Sequence, residues 1–250
     1  MNDSPKGERI AKVMARAGIC SRRDAEKWIA DGRVSVNGRV LATPACVITV
    51  QDEVVVDGRK LPHKEPTRLF MYHKPAGLVT TNRDERGRET IFDKMPQGLP
   101  RVVTVGRLDI NTEGLLLLTN DGELARYLEL PATGWTRRYR VRAHGHVTQE
   151  KLDRLKKGVT HEGINYGPID ATFEKQQGAN VWVTMSLKEG KNREVRNVME
   201  KLGLTVNRLI RLSYGPFLLN DLPVGAAVEI KPKIMQEQIA GFFKKQTQDA

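Results

Sequence analysis

Apolar positions recur along this chain in two rhythms, one helical and one alternating. Ile10, Val13, Met14 and Ala17 fall on one helical face, and Gly18 follows as a stop, so residues 10–18 predict a helix. Ser21 with Asp24 three positions on is an imperfect capping box and predicts a second helix over 22–30. Alternation around Asn37-Gly38 predicts a β-hairpin over 33–41, and 47–56 reads as a further strand pair around Asp52-Glu53. Residues 8–56 therefore read as a small α+β module.

A charged stretch rich in Pro and Gly, 57–67, reads as a linker. Beyond it, 68–235 reads as a larger domain and 236–250 as a tail that frays at its end. The domain's opening strand, 68–73, breaks at Lys74-Pro75-Ala76-Gly77 and resumes over 78–81. A polar loop at 82–89 and a short helix at 91–95 follow. Short apolar runs at 102–105 and 115–118 predict buried strands. Helices are predicted over 123–129, 149–157 and 193–202, and strands over 137–143, 181–187, 204–212, 214–219 and 227–230. Many strands joined by turns, with few helices between, make the fold class α+β, with a mixed, largely antiparallel sheet flanked by helices.

Two places in this pattern invite chemistry. Residues 106–114 put Arg107 and Asp109 in a polar connection anchored by buried strands, where a scaffold can hold reactive groups. Asp109 and Asn111 also suit a simple turn, and the segment by itself supports both readings. On the helix at 193–202, Arg196 lies at the edge of the stripe made by Val195, Val198, Met199 and Leu202. A guanidinium pressed on a core either reaches out to solvent or takes a carboxylate partner. Asp109 is a sensible partner, but sequence cannot pair residues so far apart. On the strand at 137–143, Tyr139 and Val141 share one face, and Arg138, Arg140 and Arg142 the other.

Charge narrows the field. Lys and Arg number 41 against 30 acidic residues, a net charge of +11, and many of the basic residues fall inside predicted elements. That favours a polyanionic partner, nucleic acid before membrane. The hydrophobic fraction of 39% and the absence of a long apolar run give no membrane span. A polar amino-terminus without a secretory pattern places the chain in the cytoplasm. Cys20 and Cys46 show neither disulfide nor zinc spacing. Asp109, Glu113, Asp121 and Glu123 could be imagined as a two-metal nuclease set, yet Asp121 and Glu123 suit a turn and a helix start, and His144 with His146 lacks a third ligand. No metal site and no phosphate-loop motif emerges.

Longer motifs resemble known families. The stretch ARAGICSRRDAEKWIADGRVSVNGRVL resembles the S4 RNA-binding domain, which implies that Arg16, Arg22, Arg23 and Lys27 face RNA backbone. GRLDINTEGLLLLTNDGELA, the Lys74-Pro75-Ala76-Gly77 motif, Tyr139-Arg140-Val141, and the run from Leu187 to Arg196 resemble the ribosomal RNA group of pseudouridine synthases. The pattern is most similar to the synthase B branch of the large-subunit enzymes, with Asn197 standing where that branch usually carries a second arginine. The resemblance implies isomerisation of uridine to pseudouridine in ribosomal RNA, on a base taken out of its stack. It implies Asp109 as the essential carboxylate, Arg196 as its cation and Tyr139 as the stacking ring. Arg107 and Lys74 would lie on the RNA side. It implies no cofactor, 23S rRNA as the partner ahead of 16S, and a monomer. The rival functions are a non-catalytic rRNA-binding or assembly factor and a metal-dependent RNA hydrolase.

Overall fold

The computed structural model describes residues 7–249, with side chains up to residue 245; the polar segment 1–6 lies outside the described residues. The chain forms two compact units, one built on residues up to Thr67 and one on Arg68 onward, with short segments at 100–102 and 120–122 grouped with the first.

In the first unit, β1 (Glu8–Arg9) leads into α1 (Ile10–Arg16) and α2 (Arg22–Ala30). Strands β2 (Val34–Val36), β3 (Arg39–Val40), β4 (Val47–Ile48), β5 (Val54–Val56) and β6 (Arg59–Lys60) follow. Ser21 caps α2 with a full capping box: Asp24 N donates to Ser21 Oγ at 3.0 Å, and Ser21 N to Asp24 Oδ2 at 3.1 Å. The helical stripe buries Ile10, Met14, Ala25 and Ile29 against Val34, Val54 and Val56. Two sequence expectations fail here. Segment 47–56 does not pair with itself: β4 pairs with β1, and β5 with β2. The start of the expected linker is instead sheet, because β6 pairs with β5 around Asp57-Gly58. Those two residues have φ of 49° and 74°, close to the 49° and 78° of Asn37-Gly38. Both are two-residue hairpin turns of the kind that Asn-Gly and Asp-Gly favour. Strands two residues long are too short to show alternation.

The second unit begins with β7 (Leu69–Lys74), β8 (Val103–Thr104), β9 (Thr112–Thr119), α3 (Gly122–Glu129) and β10 (Arg137–His144). Then come α4 (Gln149–Asp153), β11 (Val159–His161), β12 (Ile164–Tyr166), β13 (Ile169–Gln177), β14 (Asn180–Leu187) and α5 (Glu194–Lys201). The chain ends with β15 (Thr205–Tyr214), β16 (Phe217–Leu218), β17 (Ala227–Glu229), α6 (Pro232–Gln238) and α7 (Ala240–Asp249). The main sheet has nine strands, with order β13-β14-β10-β15-β9-β7-β17 and with β8 and β16 on β9 and β15. Its pairs are antiparallel apart from β9 with β15. Leu115 to Leu118 are all fully buried, so β9 is covered on both faces, as its unbroken apolar run requires.

Strands β11, β12 and β13 escape the sequence reading; β13 is a largely exposed outer strand whose charged residues blur the period. The tail reading also fails. Met235, Ile239 and Phe242 are buried with Leu69, Leu124, Leu128 and Phe217, so α6 and the start of α7 belong to the core. The chain end read as frayed is helical through Asp249. Among the described residues no helix is long and apolar enough to cross a membrane.

Candidate active site

Asp109 stands in the connection between β8 and β9, and the backbone of that connection is held almost atom by atom. Buried Val105 and Leu108 anchor it. Gly106 N donates to Glu129 Oε1 at 2.7 Å, and Thr80 Oγ1 to the Leu108 carbonyl at 2.8 Å. Thr112 N donates to the Asp109 carbonyl at 3.0 Å, and Gly77 N to that of Ile110 at 2.7 Å. Arg196 Nη2 donates to the Asn111 carbonyl at 3.0 Å. Lys74 Nζ donates to the Thr112 carbonyl at 2.9 Å and lies 3.3 Å from that of Ile110. Every carbonyl from 109 to 112 thus has a donor, and the loop is more than a turn between strands.

Lys74 is therefore not a surface contact for RNA. It is fully buried, and its third proton goes to the Pro75 carbonyl at 2.9 Å. Burial pushes its ammonium down to about 8, against the pull of Asp109 and Glu113. Sequence placed this lysine beside a turn. It could not show that the turn folds inward beneath the 106–112 loop.

The Asp109 carboxylate faces two cations. Oδ2 lies 3.9 Å from Arg196 Nε and 3.8 Å from Arg193 Nη1. These are ion-pair distances without direct hydrogen bonds. Arg196 is held by α5, whose stripe of Val195, Val198 and Met199 is buried. Its Nη1 donates to the Val206 carbonyl at 3.2 Å. Burial lowers the guanidinium pKa, Arg193 adds to that, and Asp109 opposes both. Arg193 was not among the residues singled out from sequence. Its signal is the backbone: a non-glycine residue at φ 50°, immediately before α5.

Tyr139 occupies the buried face of β10 and pairs in register with Arg211 of β15, which pairs with Gly114 of β9. It stands on the sheet floor, two strands from the one that carries the Asp109 loop. Arg137, next on the same face, ties β10 to the approach to α5: its Nη1 donates to the Lys188 carbonyl at 2.5 Å. Arg107 is exposed, two residues before Asp109. Glu113 makes its direct ion pair with Arg208, at 2.7 Å. Among the described residues no cluster of three or more His, Cys, Asp or Glu is placed to hold a metal.

In the first unit, Arg22, Arg23 and Lys27 are exposed on α2. Arg16 is not available in the same way. Its Nη1 donates to both Glu8 carboxylate oxygens, at 2.9 and 2.7 Å, and only 18% of its side chain is exposed.

The chain matches the RNA pseudouridylate synthase family over residues 68–201 and the S4 domain family over 8–54. A Rickettsia felis protein described as an uncharacterized RNA pseudouridine synthase is 45% identical over 230 residues, covering 92% of this chain and 100% of the relative. Ribosomal large subunit pseudouridine synthase B of Pseudomonas aeruginosa is 43% identical over 258 residues, covering 96% of this chain and 66% of that protein. The Haemophilus influenzae protein of the same name is 45% identical over 239 residues, with coverage of 92% and 67%. A crystal structure of a pseudouridylate synthase superposes with a TM-score of 0.64 at 26% identity, covering 93% of this chain and all of that one. An S4 domain followed by a mixed sheet, with match and likeness across nearly its whole length, makes this chain a member of the RNA pseudouridine synthase family, an isomerase acting on RNA.

Proposed function

We propose that the chain converts one specific uridine of 23S rRNA to pseudouridine, with Asp109 as the essential carboxylate acting on a flipped-out nucleotide. The carrying observation is the clamped loop, which holds Asp109 in ion-pair reach of the buried Arg196. A charged group so positioned has little reorganisation left when it reacts. In the reaction the C1′–N1 bond breaks and a C1′–C5 bond forms. C5 loses a proton and N1 gains one. Atoms and electrons balance within the nucleotide, so no oxidant, group donor or cofactor is required. Tyr139 stacks on the uracil and its phenol serves the proton at C5. Arg107 contacts RNA opened around the target, and Arg22, Arg23 and Lys27 bind phosphates through the S4 unit. The relatives named for the large subunit support 23S rRNA over 16S. A cytoplasmic monomer suits this work.

Asp109→Asn should abolish pseudouridine formation and leave RNA binding within about twofold. A variant that modifies RNA at the normal rate would overturn the assignment. Activity should survive EDTA, and loss on chelation would favour a metal-dependent enzyme. Mapping pseudouridines in rRNA from cells with and without the protein should show one missing 23S site; a missing 16S site would overturn the substrate.

A further inference from the structure

One carboxylate facing two guanidiniums leaves a positive charge over, and the two arginines are not equivalent. Arg196 is engaged inside the fold, with 13% of its side chain exposed and two nitrogens on the carbonyls of Asn111 and Val206. Arg193 is 54% exposed, and its one ion-pair partner among the described residues is Asp109, at 3.8 Å. Arg193 has a left-handed backbone, φ 50°, which a non-glycine residue adopts at a cost, and such positions gather at functional sites. Beside it opens a cavity of about 210 Å³, lined by Arg193, Arg196, Glu200, Leu204, Thr205 and Val206. The space is open to solvent and larger than a single bound water needs.

We infer that Arg193 and this cavity form a subsite for a phosphodiester of the RNA strand next to the reacting uridine, and that Arg193 passes from Asp109 to that phosphate as RNA enters. The inference rests on RNA being the substrate, and it adds a specific contact to that reading. A guanidinium fork matches two phosphate oxygens, and the exposed arginine is the one a strand can reach. Glu200 also lines this space and offers an acceptor to a ribose hydroxyl of the strand. When Arg193 leaves, Arg196 remains as the counter-ion of Asp109, and the carboxylate is uncovered for the nucleotide. The rival role for Arg193 is on Asp109 alone.

The test is the salt dependence of binding to an rRNA fragment that contains the target, measured by anisotropy with wild type, Arg193→Ala, Arg193→Gly and Arg193→Lys. Removing one contact to single-stranded phosphate should reduce the log–log slope by about 0.7. It should also weaken binding roughly tenfold, as loss of a charge-assisted hydrogen bond does. Arg193→Gly relaxes the left-handed backbone and should lose the same slope as Arg193→Ala. Arg193→Lys should regain the slope but only part of the affinity. In turnover assays the loss should fall on KM more than on kcat. An unchanged slope in both the Ala and Gly variants would overturn the inference, as would a tenfold fall in kcat at constant KM. Wild-type protein that binds with the full slope yet makes no pseudouridine would overturn the functional proposal and leave the subsite standing.

Discussion

Lys74 and Asp109 stand far apart in sequence and become one device in the fold. Lys74 gives its three protons to carbonyls at 75, 110 and 112, and so fixes the loop that carries Asp109. Lys74→Met keeps the length but removes the side-chain donor to the Pro75 and Thr112 carbonyls, while Ile110 keeps Gly77 N. Each buried group left unmatched costs about 1–3 kcal/mol. We expect a loss of stability of about 2–6 kcal/mol for the two carbonyls by denaturant titration and a fall in kcat of tenfold or more, since ~1.4 kcal/mol of lost positioning is tenfold in rate. Unchanged kcat would show that the loop holds its shape without the clamp. The pH dependence has a definite sign. The folded ammonium titrates at about 8 against its usual 10.5, so this group favours the folded state more as pH rises between those values. Activity should nevertheless fall above pH 8, because the clamp loses a donor. A circular dichroism signal constant across that limb would separate loosening from unfolding; if the signal falls with activity, this account of the limb fails.

At the scale of elements, the parallel pairing of β9 with β15 brings the Asp109 loop to the Arg196 helix. Leu209 to Arg211 lie in register with Thr112 to Gly114. Gly114 permits this, with φ 107° and no room for a side chain: an added Cβ would stand 2.4 Å from the Arg211 carbonyl oxygen. Gly114→Ala should cost about 1–3 kcal/mol, as overpacking does. For a chain of this size that is a fall of several degrees in Tm, at ~2–4 °C per kcal/mol. A Tm within one degree of wild type would sink this view of the junction. At this scale much was legible. The Ser21 box, the Asn37-Gly38 turn and the α5 stripe are local signals, written within a few residues. The second hairpin at Asp57-Gly58 carried an equally local signal that the surrounding charge obscured.

For the whole molecule, the net charge of +11 sets the kind of partner, and the fold decides which cations remain to meet it. Arg16 is neutralised by Glu8 and Lys74 is buried, whereas Arg22, Arg23 and Lys27 stay exposed on α2. Replacing those three by Gln should weaken RNA binding across sequences and flatten its salt dependence by up to ~0.7 for each single-strand phosphate they would otherwise neutralise. The kcat at saturating RNA should stay within about twofold. A slope that does not move would mean that the S4 unit engages RNA elsewhere.

By itself the sequence determined the two-unit order, the elements with local periodicity, the polyanionic partner and, through long ordered motifs, the family. These follow from short-range rules: turn chemistry, capping and amphipathic spacing act between neighbours. The family motifs implied Arg196 as the cation of Asp109; tertiary structure alone decided that Arg193 joins it there, that Lys74 turns inward, and that residues 235–242 close the core. Those outcomes depend on the register of strands distant in the chain and on which charges are desolvated together. Both are energies of the assembled molecule, and no window of sequence contains them.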